Sequence, residues 1–454
     1  MKNEITKKVL LFSIGIFVFV HLNAQKHDAM VQQLLQQNNW FVLDKEYPQI
    51  KDSIKAPELK WLTESMLNIR FNNTKAAISG IDTLLYKYQQ VLGFQNAVKL
   101  LIYKTALLGD VGKYDLAADE LKNFIDQVGQ SLPQEELKGF VKSYNYYNLL
   151  RHEAPPTIVK PNKDIKVPFG VMDIDFVLKE NDGINETTNT QLGIVKISIQ
   201  GNEYIFILDT GFEKTCILDN LAKKLNLQYL EDSVSIIGNG LVKGKLAILD
   251  SISIGEVTLC NSLVVTTNDF LASFDGLAND EMSNSIHGVL GIDFIKRLGE
   301  IQLFPNNKTI IIPQNESELP HYGRNVILDD GDYIIIKAFE NEQLVKFHLD
   351  TGNSNSHMFK TYFSKNKDEI DNKLEKRTNY SFGIAEGQAN IVYHLPSIEF
   401  FIGNTSCSIK DLSIYTDNIF IEEPNADGSL GYNFVKNFSK ITLNLNKMFI
   451  QVEK

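Results

Sequence analysis

The chain has 454 residues, 43% of them hydrophobic and 22% charged, with a formal net charge of −11. That length exceeds one ordinary core, and the composition is that of a folded chain, so two or three domains are expected and wholesale disorder is excluded. The acidic balance lacks any basic stripe, which argues against a nucleic-acid partner.

Residues 1–25 read as a secretory signal. Lys2, Lys7 and Lys8 form a basic start, Val9 to Val20 form an apolar core broken only by Ser13 and Gly15, and Ala24 offers a small residue for cleavage. A core of 12 residues suits a signal and is too short to span a bilayer. The expectation is export, to a periplasmic or extracellular location. The alternative is an uncleaved signal anchor, which is the one membrane contact the sequence suggests.

Residues 27–150 carry a helical pattern, with apolar side chains recurring at spacings of three and four, as in Leu84, Leu85, Tyr88, Val91 and Leu92. Residues 101–118 read as two helices around a Gly112-Lys113-Tyr114 turn. Residues 153–168 change character, and Pro155, Pro156 and Pro161 mark an exposed, stiffened linker. From there Val, Ile, Phe and Thr dominate, with Asn, Asp and Gly at turns, which is an all-β pattern. Two helical inserts are predicted, one over 219–227 capped by Asp219 or Asn220, another over Phe294 to Leu298.

The β-rich part contains the same short motif twice, as Asp209-Thr210-Gly211 and Asp350-Thr351-Gly352. Each copy ends an apolar run, and each is followed by a similar glycine frame, Gly288-Val289-Leu290-Gly291 and Gly428-Ser429-Leu430-Gly431. The repeat extends further. Glu300 to Phe304 and Lys440 to Asn444 recur at an offset of 140, as do Gly288 and Gly428. The stretch from Leu249 to Gly255 is echoed from Leu395 to Gly403. Self-similarity at so long an offset predicts a duplicated domain, a first lobe over 169–312, a connection over 313–325 and a second lobe over 326–454.

One Asp-Thr-Gly alone is a plausible hairpin end. Two copies in matched contexts suggest two carboxylates brought together. Peptide hydrolysis needs a base to activate water and an acid to protonate the carbonyl oxygen or the leaving amine. Two carboxylates about 3 Å apart share one proton and can supply both. Asp209 and Asp350 are therefore the candidate catalytic pair. Thr210 and Thr351 carry hydroxyls that can brace the two loops, and Gly211 and Gly352, lacking Cβ, let those loops approach closely.

On these residues the stretch 168–454 resembles a two-lobed, pepsin/retropepsin-type aspartic protease. The resemblance implies an all-β bilobal (double-psi) fold behind an all-α helical domain, and a water nucleophile with no metal and no cofactor. It implies an extended polypeptide substrate held by strand-like hydrogen bonds, and a glycine-rich lid in each lobe. Gly238-Asn239-Gly240 and the stretch from Gly383 to Gly387 are the lid candidates, with ordinary hairpin turns as the alternative. Phe212 and Asn353 stand where that family commonly has Ala or Ser. Residues 101–118 resemble one tetratricopeptide-type helical hairpin, with Gly112, Tyr114 and Ala117 at its small and aromatic positions. That likeness implies a protein partner docked on the helical domain, against the alternatives of plain helix packing and of a removable propeptide.

Two other functions remain open in the sequence. One is a catalytically inactive, protease-like peptide-binding protein, and the other is a helical-repeat scaffold. His287 and His348 read as structural histidines, and Ser354 and Ser356 lack the context of a Ser/His/Asp nucleophile. Cys216, Cys260 and Cys407 have no metal-ligand spacing. They read as buried small hydrophobes, with a Cys260–Cys407 disulfide as the alternative.

Overall fold

The computed structural model describes residues 26–179, 185–237, 241–267, 285–330, 332–381, 388–419 and 424–454. The signal-like segment 1–25 and the lid candidates Gly238, Asn239, Gly240, Gly383 and Gly387 lie outside the described residues. The chain divides into two compact units, Met1–Pro156 and Thr157–Lys454.

The first unit is helical. Its helices are α1 (Lys26–Gln36), α2 (Trp40–Ile50), α3 (Pro57–Arg70), α4 (Thr74–Lys87), α5 (Gln89–Asp110), α6 (Tyr114–Val128) and α7 (Gln134–Leu149). Three tight turns have one construction. Asn38, Asn72 and Gly112 adopt φ of 50°, 57° and 71°. The next N–H in each case reaches back to a carbonyl in the preceding helix, Asn39 to Leu34, Asn73 to Asn68 and Lys113 to Leu108, at 2.9, 2.7 and 2.8 Å. This left-handed cap satisfies carbonyls that the helix end leaves open. The glycine turn was legible in the sequence, whereas the asparagine turns were not, because Asn reaches the left-handed region without announcing it. Leu43, Leu59, Leu62, Met66, Ile81 and Leu84 are buried along the facing stripes.

The second unit is β-rich. In chain order its strands are β1 (Thr157–Val159), β2 (Ile165–Lys179), β3 (Asn185–Ile199), β4 (Asn202–Leu208), β5 (Cys216–Leu218), β6 (Gln228–Ile237), β7 (Leu241–Ile254), β8 (Val257–Thr267), β9 (Ile286–Leu290), β10 (Glu300–Phe304) and β11 (Thr309–Ile312). The second half holds β12 (Val326–Leu328), β13 (Ile334–Glu340), β14 (Gln343–Leu349), β15 (His357–Met358), β16 (Lys376–Ser381), β17 (Gln388–Ile402), β18 (Thr405–Tyr415), β19 (Gly428–Leu430), β20 (Lys440–Asn444) and β21 (Phe449–Glu453).

The duplication read from the sequence is a duplication of topology. In the first half the strands run in the order β3-β4-β9-β5-β8-β7-β6, and β3 also pairs with β7. In the second the order is β13-β14-β19-β15-β18-β17-β16, and β13 also pairs with β17. Each half thus closes a ring of strands. Both rings contain the same two parallel contacts, β4 with β9 and β5 with β8 in one, β14 with β19 and β15 with β18 in the other. Parallel pairs of this kind lie buried, and the last three residues of β4 and of β14 are buried without alternation. Equivalent turns match in detail, since Gly255 and Gly403 both adopt φ of 56°.

The closing strands do not stay within their own halves. β10 pairs antiparallel with β20, with Gln302 opposite Thr442 and Glu300 opposite Asn444. Gln302 and Thr442 are repeat-equivalent, so the local twofold of the duplication passes between them. On one side the shared sheet continues through β11 to β2. On the other it continues to β21, beyond which the Asn325 side chain accepts from Ile450 N–H at 2.8 Å and donates to its carbonyl at 2.9 Å.

The sequence reading needs four corrections. The stretch read as a linker is structured after residue 156, because Thr157-Ile158-Val159 pairs with β8 and β2 begins at Ile165. Those residues are β-formers, and the stiff prolines stop at Pro156 until Pro161. The helix expected over 219–227 runs only from Asp219 to Lys224, and its N-cap is Leu218 with no side-chain cap. Asp219 instead sits inside the first turn, where a carboxylate favours the helix dipole. The second half adds helices Lys360–Lys365, Lys367–Lys373 and Tyr432–Val435. Aromatic residues of modest helix propensity hid the first and the last. Finally, all three cysteines are free, so the disulfide alternative falls.

Candidate active site

The two Asp-Thr-Gly loops meet at the centre of the β-rich unit. Each aspartate leaves the end of a buried strand, and each backbone N–H is held by the neighbouring parallel strand. Asp209 N–H donates to Leu290 at 3.1 Å, and Asp350 N–H to Leu430 at 3.0 Å. This anchoring explains the glycine frame that follows each motif. Gly291 and Gly431 pass so near the backbone of the loops that a Cβ would lie 2.7 Å from the Phe212 carbonyl oxygen in one half and 2.6 Å from that of Asn353 in the other.

The threonines lock the loops to each other. Thr210 N–H donates to Thr351 Oγ1 at 3.1 Å, and Thr351 N–H donates to Thr210 Oγ1 at 3.1 Å. Each hydroxyl then donates across the junction, Thr210 to the Leu349 carbonyl and Thr351 to the Leu208 carbonyl, both at 2.7 Å. Both side chains are buried. Four hydrogen bonds of equal length in pairs fix the separation of the two loops.

The glycines make room for the carboxyls. A Cβ on Gly211 would stand 2.6 Å from Asp350 Oδ1, and one on Gly352 would fall on the Asp209 carboxyl. The two carboxyl groups lie close together, each filling the space beside the other loop's glycine. Two carboxyls placed this close favour holding one proton in common. Burial pushes both above the ordinary carboxylate range, and the charge of Asp209 pushes Asp350 further. Asp209 receives N–H groups from Gly211 (2.8 Å), Gly352 and Phe212, which favour its ionised form. Asp350 receives those of Asn353 (3.1 Å) and Gly352. The two carboxyls therefore titrate as a joint pair. Both keep a partly exposed face.

Behind each loop lies a second matched element that sequence reasoning missed. Asp293 Oδ1 accepts from Thr215 N–H, Thr215 Oγ1 and Phe294 N–H, each at 2.9 Å. In the other half Asn433 Oδ1 accepts from Ser356 N–H at 2.8 Å and Ser356 Oγ at 2.6 Å. The two hydroxyls in turn accept from Gly291 N–H and Gly431 N–H, at 3.3 and 2.9 Å. The signal was present in the same repeat offset, but Thr against Ser and Asp against Asn do not read as identities. Ser356, unsuited to nucleophilic work, is a structural link here.

His348 and His357 are buried and His287 is half-buried, and the buried Nε2 of His348 meets no hydrogen-bond partner among the described residues. Burial lowers His348 to about 3, helped by nearby His357, and lowers His357 to about 4. His348 lies edge-on to Tyr333 with ring centres 5.1 Å apart. His287 Nδ1 accepts from Ile205 N–H at 3.4 Å. Asp427 does the equivalent for Lys346 N–H at 2.9 Å. Among the described residues no cluster of His, Cys, Asp and Glu could hold a metal ion.

The site defines a class: two neighbouring carboxyls at the junction of two duplicated β halves. Residues 195–294 match the model of the family described as aspartyl protease. That span covers the first Asp-Thr-Gly loop and its Asp293 support. No curated protein sequence matches the chain. Similar solved structures include basic 7S globulin from soybean, at 10% identity over 63% of this chain and 95% of that one, with a TM-score of 0.36. Conglutin gamma from lupine seeds matches at 11% identity over 65% and 95%, with a TM-score of 0.37. A retropepsin-like aspartic protease from Rickettsia conorii matches at 17% identity over 32% of this chain and 91% of that one, with a TM-score of 0.18.

Proposed function

We propose that residues 157–454 form an aspartic endopeptidase that hydrolyses peptide bonds with a water activated between Asp209 and Asp350. The observation that carries this reading is the meeting of the two Asp-Thr-Gly loops, locked by their threonines with each carboxyl set beside the other loop's glycine. Asp209 removes a proton from the water, whose oxygen bonds to the peptide carbonyl carbon while Asp350 protonates the carbonyl oxygen. Collapse of the tetrahedral intermediate breaks the C–N bond, and the amine leaves with a proton returned through the pair. Thr210, Gly211, Thr351 and Gly352 support the two carboxyls. The substrate is an extended polypeptide lying between the halves, bound by main-chain hydrogen bonds.

The finer features belong to the same proposal. Two strand rings flanking a shared sheet support a bilobal, pepsin-like arrangement with paired psi loops. Three helical hairpins with one turn construction support a tetratricopeptide-like array that docks a protein partner. The basic and apolar start of the sequence supports export to the periplasm or the exterior.

The test is hydrolysis of dye-labelled, denatured casein from about pH 3 to pH 7, the range in which such pairs titrate. Wild type cleaves, and Asp209→Ala and Asp350→Ala each lose about 10³-fold or more while keeping the wild-type circular dichroism, because one carboxyl cannot fill both proton roles. Casein binding without cleavage by the wild type would support a silent peptide-binding protein instead. Equal turnover in both variants would defeat the assignment.

A further inference from the structure

We infer that Asp293, with Thr215, is a positioning residue for Asp209, and that Asn433, with Ser356, does the same for Asp350. The inference rests on the peptidase reading above and adds residues to it. Thr215 ends the loop that begins at Asp209. Its backbone and hydroxyl are both tied to the single oxygen Asp293 Oδ1 at 2.9 Å. The same hydroxyl receives the N–H of Gly291, and Leu290, the preceding residue, holds the Asp209 N–H. The acidic residue is thus gripped from both ends of its loop by one connected set of hydrogen bonds. The Phe212 carbonyl, midway along the loop, receives Ile292 N–H at 2.8 Å. Every one of these contacts has a counterpart in the second half, through Ser356, Asn433, Gly431 and Asn353.

The counterpart also defines what the clamp requires. Asn433 supplies the same oxygen as Asp293 with no charge. The needed feature is therefore an acceptor atom at that point, and the carboxylate charge of Asp293 is dispensable. A clamp of this kind acts by holding geometry, and misplacement of a reacting group by about 1 Å can cost on the order of 10²-fold in rate.

The experiment uses the full chain and a fluorogenic peptide chosen from the sites that wild type cuts in casein. Asp293→Asn keeps kcat within about threefold of wild type, whereas Asp293→Ala lowers kcat about 10- to 100-fold with KM changed less than threefold. Thr215→Ser and Thr215→Val repeat the contrast, retained against lost, and serve in its place should Asp293→Ala not fold. Hydrogen exchange over residues 209–216, read by mass spectrometry, speeds up in Asp293→Ala and Thr215→Val only. That readout needs no turnover, so it separates failure of the clamp from failure of the peptidase reading. Unchanged kcat and unchanged exchange in folded Asp293→Ala or Thr215→Val would overturn the inference. So would an Asp293→Asn variant as impaired as Asp293→Ala, because the charge would then be the working feature.

Discussion

Thr210 and Thr351 show how much one side chain carries here. Each hydroxyl is donor and acceptor at once, and both are out of water. Replacing Thr210 by Val keeps the shape but leaves the Leu349 carbonyl and the Thr351 N–H without their partner. A buried polar group left unmet costs about 1–3 kcal/mol. Thr210→Val should therefore lower the melting temperature of the β-rich unit by roughly 5–10 °C. Thr210→Ser should lose much less, since the hydroxyl stays. Calorimetry giving equal losses for both would mean the methyl packing, and not the hydrogen bonds, sets the stability. At this scale the sequence was informative because chemistry constrains identity. Asp and Gly at each loop have no close substitutes in their roles, and Thr has only Ser. Thr215 against Ser356, and Asp293 against Asn433, do have substitutes, which is why these pairs were overlooked.

The seam between β10 and β20 poses the same question for whole elements. Glu300, fully buried at its start, accepts from Gln302 Nε2 at 2.7 Å, Ser317 N–H at 2.8 Å, Ser317 Oγ at 2.7 Å and Asn444 Nδ2 at 2.7 Å. It fastens the connection between the halves to both seam strands. Burial would push its carboxyl up, but the hydrogen bonds outweigh that and hold it below the usual range. A depressed value means stabilisation that is fully present above the unfolded value of about 4.3 and lost as pH falls through the folded one. The melting-temperature advantage of wild type over Glu300→Gln should then be largest near neutrality and close below about pH 4. A gap independent of pH would contradict a role for the ionised group. The repeat announced β10, β11, β20 and β21 in the sequence, yet not that β10 pairs with β20. Alternation and turn residues report a strand's neighbours along the chain, and pairing across 144 positions leaves no local trace. For the same reason the short strand at Thr157–Val159 was read as linker.

At the level of the whole molecule, each unit has its own buried interior. The β-rich unit closes both its rings without a strand from residues before 157. A protein comprising residues 157–454 should therefore unfold in one cooperative transition and retain the Asp209-dependent cleavage of casein. Circular dichroism melts and the casein assay check the two halves of that statement separately. Loss of the transition would mean that the helices are needed for folding, as a propeptide would be. The helical character of the first unit and the duplicated β character of the second were both readable from periodicity and repeat. The ring closures were not, since they join β3 to β7 and β13 to β17 through contacts distant in sequence.

The local twofold between Gln302 and Thr442 has one more consequence. Two identical copies related by such an axis would have to change together at every position. Covalent fusion releases that restraint. One partner can carry His287 where the other carries Asp427, or Asp293 where the other carries Asn433, while the shared frame is preserved. The two halves are thus free to diverge in the residues that surround the paired loops.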